Sequence, residues 1–240
     1  MQTYELNLFD EIRKRNVPIL IYTPEISSEL TPVVIFGPGY QEQERLKDPS
    51  IVQEYKQWSY LAEYFTSRGY AFISIQHDIL GDNDGLEFID KNAPQAEVRK
   101  HLWIRGEKNI LFAINELKQK YPEFNFDQFI IAGHSNGGDI AKFFYNNYEN
   151  MVLSAVIFDG RRCPIKPGSK QKLLIFEAAD TSTDFGVLPD EGTEIAPKRM
   201  NLEWIVIKPK DAFHMSYGGD LITDKLKTKV FKGLDFFLNE

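Results

Sequence analysis

Tyr4, Leu6 and Leu8 alternate with Glu5 and Asn7, the period-two pattern of a strand with one face buried. Residues 17–22 read as its antiparallel hairpin partner. Beyond Pro24 and Pro32 the alternation stops, and short unbroken apolar runs take over at 33–36, 71–75, 129–132, 155–158, 173–176 and 204–207. Such runs suit strands covered on both faces, as in a parallel sheet.

Helical spacing fills most of the gaps. Tyr55, Trp58, Leu61, Ala62 and Phe65 recur with a period of about 3.6 and stop near Gly69. Trp103, Ile110, Ala113, Ile114 and Leu117 mark a second helix that ends before Pro122. Ile140, Phe143 and Phe144 belong to a third, and Leu226, Val230, Leu234 and Phe237 to a C-terminal one. Two leading antiparallel strands followed by alternating strand and helix predict an α/β protein. Its sheet is mostly parallel, eight-stranded and flanked by helices.

Three long connections, 77–94, 159–170 and 181–200, begin at carboxyl ends of strands, where open α/β sheets bind ligands. Asp82, Asn83, Asp84 and Gly85 make the first rich in turn residues and mobile. The second, after the sixth strand, is too short for a separate cap domain, so an open site is expected.

Composition narrows the class without choosing a substrate. The 240 residues are 42% apolar and 26% charged, ordinary for one soluble domain spanning 1–240. A net charge of −7 argues against nucleic acid or anionic membrane as the main partner. The single cysteine, Cys163, permits no intrachain disulfide and reads as a small buried filler. No run approaches the roughly 20 apolar residues of a membrane span. Residues 1–9 lack a basic and apolar leader pattern, so the expectation is a cytoplasmic protein, or a secreted or periplasmic one already trimmed. Oligomeric state is not legible.

Gly133-His134-Ser135-Asn136-Gly137-Gly138 directly follows the apolar run 129–132 and opens the third helical pattern. Strand, Gly-x-Ser-x-Gly and helix in that order form a nucleophile elbow. The glycines at 133 and 137 remove side chains that would collide across the turn. Ser135 is thereby lifted above the sheet as a candidate nucleophile, with a helix N-terminus pointing at it.

The elbow in this context resembles that of the α/β-hydrolases, and the resemblance covers nearly the whole chain. More narrowly, the chain is similar to bacterial relatives of the platelet-activating-factor acetylhydrolases and dienelactone hydrolases. The resemblance implies the chain order Ser, Asp or Glu, then His. Of His77, His101, His134 and His214, only His214 follows Ser135 outside the elbow's helix, so it is the expected base. Asp180, four residues past the run 173–176, stands at the offset many α/β-hydrolases use for the acid. Asp159 is the alternative, in the position of the acetylhydrolase-like relatives. Asp180 is preferred, and the other carboxylate then braces its loop through Arg161 or Arg162.

Two backbone N–H groups are expected to form the oxyanion hole, those of Asn136 and Tyr40. Many relatives carry His-Gly-x where this chain has Pro38-Gly39-Tyr40, and Pro38 has no N–H to give. Gln76-His77-Asp78 is expected to line the pocket or anchor a loop. No cluster of metal ligands is legible there, and no metal or cofactor is required. These readings imply a serine esterase acting on a small-molecule carboxylic ester through an acyl-enzyme. Alternatives are a peptidase or thioesterase with the same residues, or a non-catalytic binding protein on a hydrolase fold.

Overall fold

The structure is a computed structural model that describes residues 1–25, 30–82, 84, 93–166, 171–187 and 202–239. Parts of the three long connections, including Asn83 and Gly85, lie outside the described residues.

Eight strands form one sheet: β1 (Gln2–Asp10), β2 (Arg15–Thr23), β3 (Thr31–Gly37), β4 (Ala71–Ile75), β5 (Phe124–His134), β6 (Val152–Phe158), β7 (Gln171–Phe176) and β8 (Leu202–Ile207). Their spatial order is β1-β2-β4-β3-β5-β6-β7-β8. β1 and β2 pair antiparallel, as does β2 with β4, and every later pairing is parallel. The alternating N-terminal hairpin therefore forms the sheet's antiparallel flank, and the unbroken apolar runs form its parallel body, as their patterns predict.

Helices α1 (Gln43–Lys47), α2 (Ser59–Thr66), α3 (Gln95–Lys120), α4 (Asn136–Asn147) and α5 (Asp224–Leu238) complete the described architecture. The pleat of each parallel strand divides its side chains between two cores. Val33, Ile35, Ile131 and Ile157 join the face covered by α3 and α4. Val34, Phe36, Ala132 and Phe158 join the face covered by α2 and α5. Each fully buried Val, Ile or Phe among them contributes roughly 1.5–3 kcal/mol of transfer free energy.

One expected helix is divided. Tyr55 lies on a separate 3₁₀ turn, Glu54–Lys56, and α2 begins only at Ser59. Tyr55, Trp58, Leu61 and Phe65 nevertheless share one core, so their common burial explains a helical period that runs across the break. Gly106 of α3 lies against Ile140 of α4, where an added Cβ would come within 2.6 Å of the isoleucine side chain. That close approach seats α4, and with it the turn that starts α4, against the sheet.

Candidate active site

Ser135 links the end of β5 to the start of α4 with φ 53° and ψ −121°, a left-handed backbone that costs a non-glycine residue about 1–3 kcal/mol. The surroundings over-determine it. Ser135 N–H donates to Phe158 C=O at 2.9 Å, and Asp139 N–H to Ser135 C=O at 3.0 Å. A Cβ at Gly133 would lie 2.3 Å from the Gly137 carbonyl, and one at Gly137 would lie 2.0 Å from the Gly37 oxygen. Both glycines are therefore steric requirements of the turn, and Ser135 stays half-exposed above it.

His214 opens a 3₁₀ turn, His214–Tyr217, in the connection between β8 and α5. Its Nε2 lies 3.0 Å from Ser135 Oγ. Its Nδ1 bonds to Asp159 Oδ2. Asp159 is the first residue after β6 and has φ 47°, with its N–H held by Phe176 C=O at 2.7 Å. Its carboxylate also accepts from the Ala178 N–H and the Thr181 hydroxyl, each at 2.9 Å. Burial pushes the Asp159 carboxyl upward, and the bonds from His214, the Ala178 N–H and Thr181 outweigh it. The group is held below the usual carboxylate range.

The expectation for Asp180 is corrected by this geometry. Its exposed carboxylate accepts the His214 backbone N–H at 2.8 Å and so holds the loop rather than the ring. Four residues of chain carry Asp180 past the imidazole, whereas the left-handed turn at Asp159 directs that carboxylate at Nδ1. Nor is Asp159 merely a brace for Arg161, whose Nε lies 3.3 Å away; its carboxylate serves both groups.

His134, the variable residue of the elbow, supports His214 from the other side. A carbonyl only accepts, so His134 Nε2 carries a proton and donates it to His214 C=O at 2.8 Å. The two rings lie 4.8 Å apart, and Trp58 covers His134 from another side at 5.3 Å. Burial and the neighbouring His214 push His134 down to about 3. It is neutral at physiological pH.

The loop after β3 reaches Ser135. A Cβ on Gly39 would sit 3.4 Å from Ser135 Cβ. Among the described residues, neither the Tyr40 nor the Asn136 N–H has a protein acceptor. The next residue is anchored: Gln41 N–H donates to Asp78 Oδ2 at 3.0 Å, and Gln76 Nε2 donates to Gln41 Oε1 at 3.1 Å. Burial pushes Asp78 up to about 6, against the attraction of its partner Arg105. Gln76 and Asp78 thus brace this loop from behind, and His77 lies buried beneath Gly37, where it fills the space a Cβ would enter.

Carboxylate oxygens of Asp78, Asp82 and Asp84 lie within 4.8 Å of one another, a cluster not apparent from sequence. Arg105 already stands among them, bonded to Asp78 and Asp84 and 3.4 Å from Asp82. Arg15 also binds Asp82 at 2.6 Å, so two guanidinium groups stand against the three carboxylates. Cys163 is buried, and burial raises its thiol to about 12, as suits a core filler.

A cleft of about 350 Å³ opens over Ser135 and His214, lined also by Gly39, Tyr40 and several arginines. A larger depression of about 670 Å³, around Pro18, Tyr55 and Ile79, lies away from the serine. Three contributions were not legible in sequence: the Thr181 hydroxyl on Asp159, the His134 bond to His214, and the convergence of Arg99, Arg161 and Arg162 on the cleft. The available signals were local ones, an Asp-Gly pair directly after a strand and a histidine beside the serine.

No family model matches the chain, and no curated protein matches it in sequence. Solved structures do match its fold. The dienelactone hydrolase-like promiscuous phosphotriesterase P91 from metagenomic libraries is 14% identical, with a TM-score of 0.66 over 99% of this chain and 98% of its own. Esterase 2 of Thermogutta terrifontis is 12% identical, with a TM-score of 0.63 over 99% and 94%. A dienelactone hydrolase from Anabaena variabilis is 14% identical, with a TM-score of 0.57 over 100% and 98%. Its sheet order, its strand–Ser135–helix turn and these likenesses together give the chain an α/β-hydrolase fold.

Proposed function

We propose that this chain is a serine hydrolase that cleaves a carboxylic ester through an acyl-enzyme. The observation that carries this reading is the line Asp159–His214–Ser135, with the imidazole bonded at both nitrogens and the serine at 3.0 Å. A hydroxyl is a weak nucleophile at neutral pH and needs such a base.

In the first half-reaction Ser135 Oγ bonds to the ester carbonyl carbon while His214 Nε2 takes the hydroxyl proton. The imidazolium so formed is stabilised by the Asp159 carboxylate, which stays ionised. The Tyr40 and Asn136 N–H groups donate to the oxyanion, each contributing roughly 3 kcal/mol by the usual cost of deleting one donor. The tetrahedral adduct collapses, the carbon–oxygen bond to the alcohol breaks, and His214 returns the proton to the departing alcohol. Water, deprotonated by His214, then attacks the acyl carbon and releases the acid and the free Ser135 hydroxyl.

Purified protein is expected to turn over p-nitrophenyl butyrate, and S135A, folded to the same extent, is expected to lose that turnover. An S135A protein that hydrolyses the ester at the parent rate overturns the reading.

A further inference from the structure

Lys142, in the second turn of α4, is a lysine whose side chain is 0% exposed. The ester mechanism gives it no task. Helix packing does not ask for a charge there, because an apolar side chain of the same length fills a core without desolvating an ammonium group. Its Nζ donates to Gly160 C=O at 2.9 Å and lies 3.3 Å from Asp139 Oδ1. Asp139, one turn earlier and also buried, accepts the Arg162 and Cys163 N–H groups, each at 2.9 Å. The two side chains thus tie residues 160, 162 and 163, the segment directly after Asp159, to the helix that begins after Ser135. Gly160 approaches that helix so closely that an added Cβ would lie 2.9 Å from the Gly138 carbonyl carbon.

We infer that Lys142 and Asp139 are positioning residues, which fix the left-handed turn at Asp159 so that its carboxylate meets His214 Nδ1. The inference rests on the serine-esterase reading and adds two residues to it. Asp159 has φ 47°, a conformation that persists in a non-glycine residue only where the surroundings hold it. On one side its N–H is held by Phe176 C=O at 2.7 Å. On the other, Lys142 holds the next carbonyl, through a charge-assisted bond stronger than a neutral one. Helix α4 therefore begins at the turn of Ser135 and carries the loop of Asp159 along its first two turns. One rigid element sets the distance between the two. Neither Lys142 nor Asp139 touches a reacting atom.

The test is a double-mutant cycle with Asp159. K142M keeps the length of the side chain and removes the donor. At matched folded fraction it is expected to lower kcat for p-nitrophenyl butyrate about tenfold to a hundredfold, the scale of a small misplacement of a reacting group. KM is expected to change by less than about twofold, since substrate contacts are untouched. In D159N, where no carboxylate is left to place, K142M is expected to lower kcat less than about threefold. A loss below about threefold in the parent, or an equal loss in both backgrounds, overturns the inference and leaves the esterase reading standing. Where K142M does not fold, K142M/D139N takes its place in the cycle; it buries no charge and keeps an acceptor for the two N–H groups. A second readout needs no turnover. A carboxylate only accepts, so His214 Nδ1 carries a proton directed at Asp159. That proton is expected to give a magnetic resonance signal downfield of the amide protons, removed by D159N and shifted or broadened by K142M. A signal unchanged in K142M, or absent from the parent, overturns the inference. If no ester is hydrolysed but K142M disturbs the signal, the esterase reading fails while the positioning role stands.

Discussion

Ser135 and Asp159 share an uncommon backbone. Each directly follows a parallel strand, and their φ values are 53° and 47°, a region that few non-glycine residues occupy. For serine the strain was legible, because the glycines at 133 and 137 announce it. For Asp159 it was not, since an Asp-Gly pair after a strand is also an ordinary turn. That ambiguity is why distance along the chain favoured Asp180. The two carboxylates now separate by what they touch: Asp159 meets the ring of His214 and Asp180 only its backbone N–H. Asparagine tolerates the left-handed region, so D159N tests charge without breaking the turn. D159N is expected to lower kcat on the order of 10⁴-fold, and D180N by less than about tenfold, the worth of one exposed hydrogen bond. Steady-state kinetics at matched folded fraction checks both. His214 was legible because few histidines exist, whereas the support from His134 depends on a carbonyl eighty residues away in the chain.

At the scale of elements, most of the sheet could be read from period alone, since parallel strands buried on both faces leave unbroken apolar runs. What the pattern concealed was a boundary: the 3₁₀ turn at Tyr55 and α2 bury their side chains together, and periodicity records burial rather than hydrogen bonding. The contact between elements that matters most to the site is equally silent in sequence. Gly137 at the head of α4 lies against Gly37 and Pro38 of the β3 loop, where a Cβ would be 2.0 and 2.3 Å from their carbonyl oxygens. This approach sets the distance between the helix that follows Ser135 and the loop that carries Tyr40. G137A is expected to destabilise the fold by at least about 3 kcal/mol, the upper range of overpacking. G218A, at a φ of −77° with 3.6 Å to the nearest neighbour, is expected to change stability by less than about 0.5 kcal/mol. Thermal unfolding of the two variants beside the parent measures the contrast.

Across the whole molecule, charge and burial leave a pH signature. His77 and His134 are both buried, and both are lowered from 6.5 to about 3, chiefly by burial. Below 6.5 the unfolded chain takes up these two protons and the folded chain does not, so stability present above that pH is lost progressively down to about 3. Each histidine contributes a slope of up to ~1.4 kcal/mol per pH unit. Asp78, raised to about 6 by burial, works in the opposite sense between 3.8 and about 6 and offsets about one of them. Urea unfolding at roughly pH 7 and pH 5 should show H134Q losing less stability on acidification than the parent. An unchanged slope in H134Q would mean that His134 does not remain neutral in the folded state.

The central claim is that Ser135 carries the acyl group between the two half-reactions. Acid-quenched protein mixed with p-nitrophenyl butyrate, digested and read by mass spectrometry, tests it directly. A butyryl group on the peptide containing Ser135, absent from S135A, is the predicted result. Rapid ester hydrolysis retained in S135A, with the butyryl group on another residue, would contradict it.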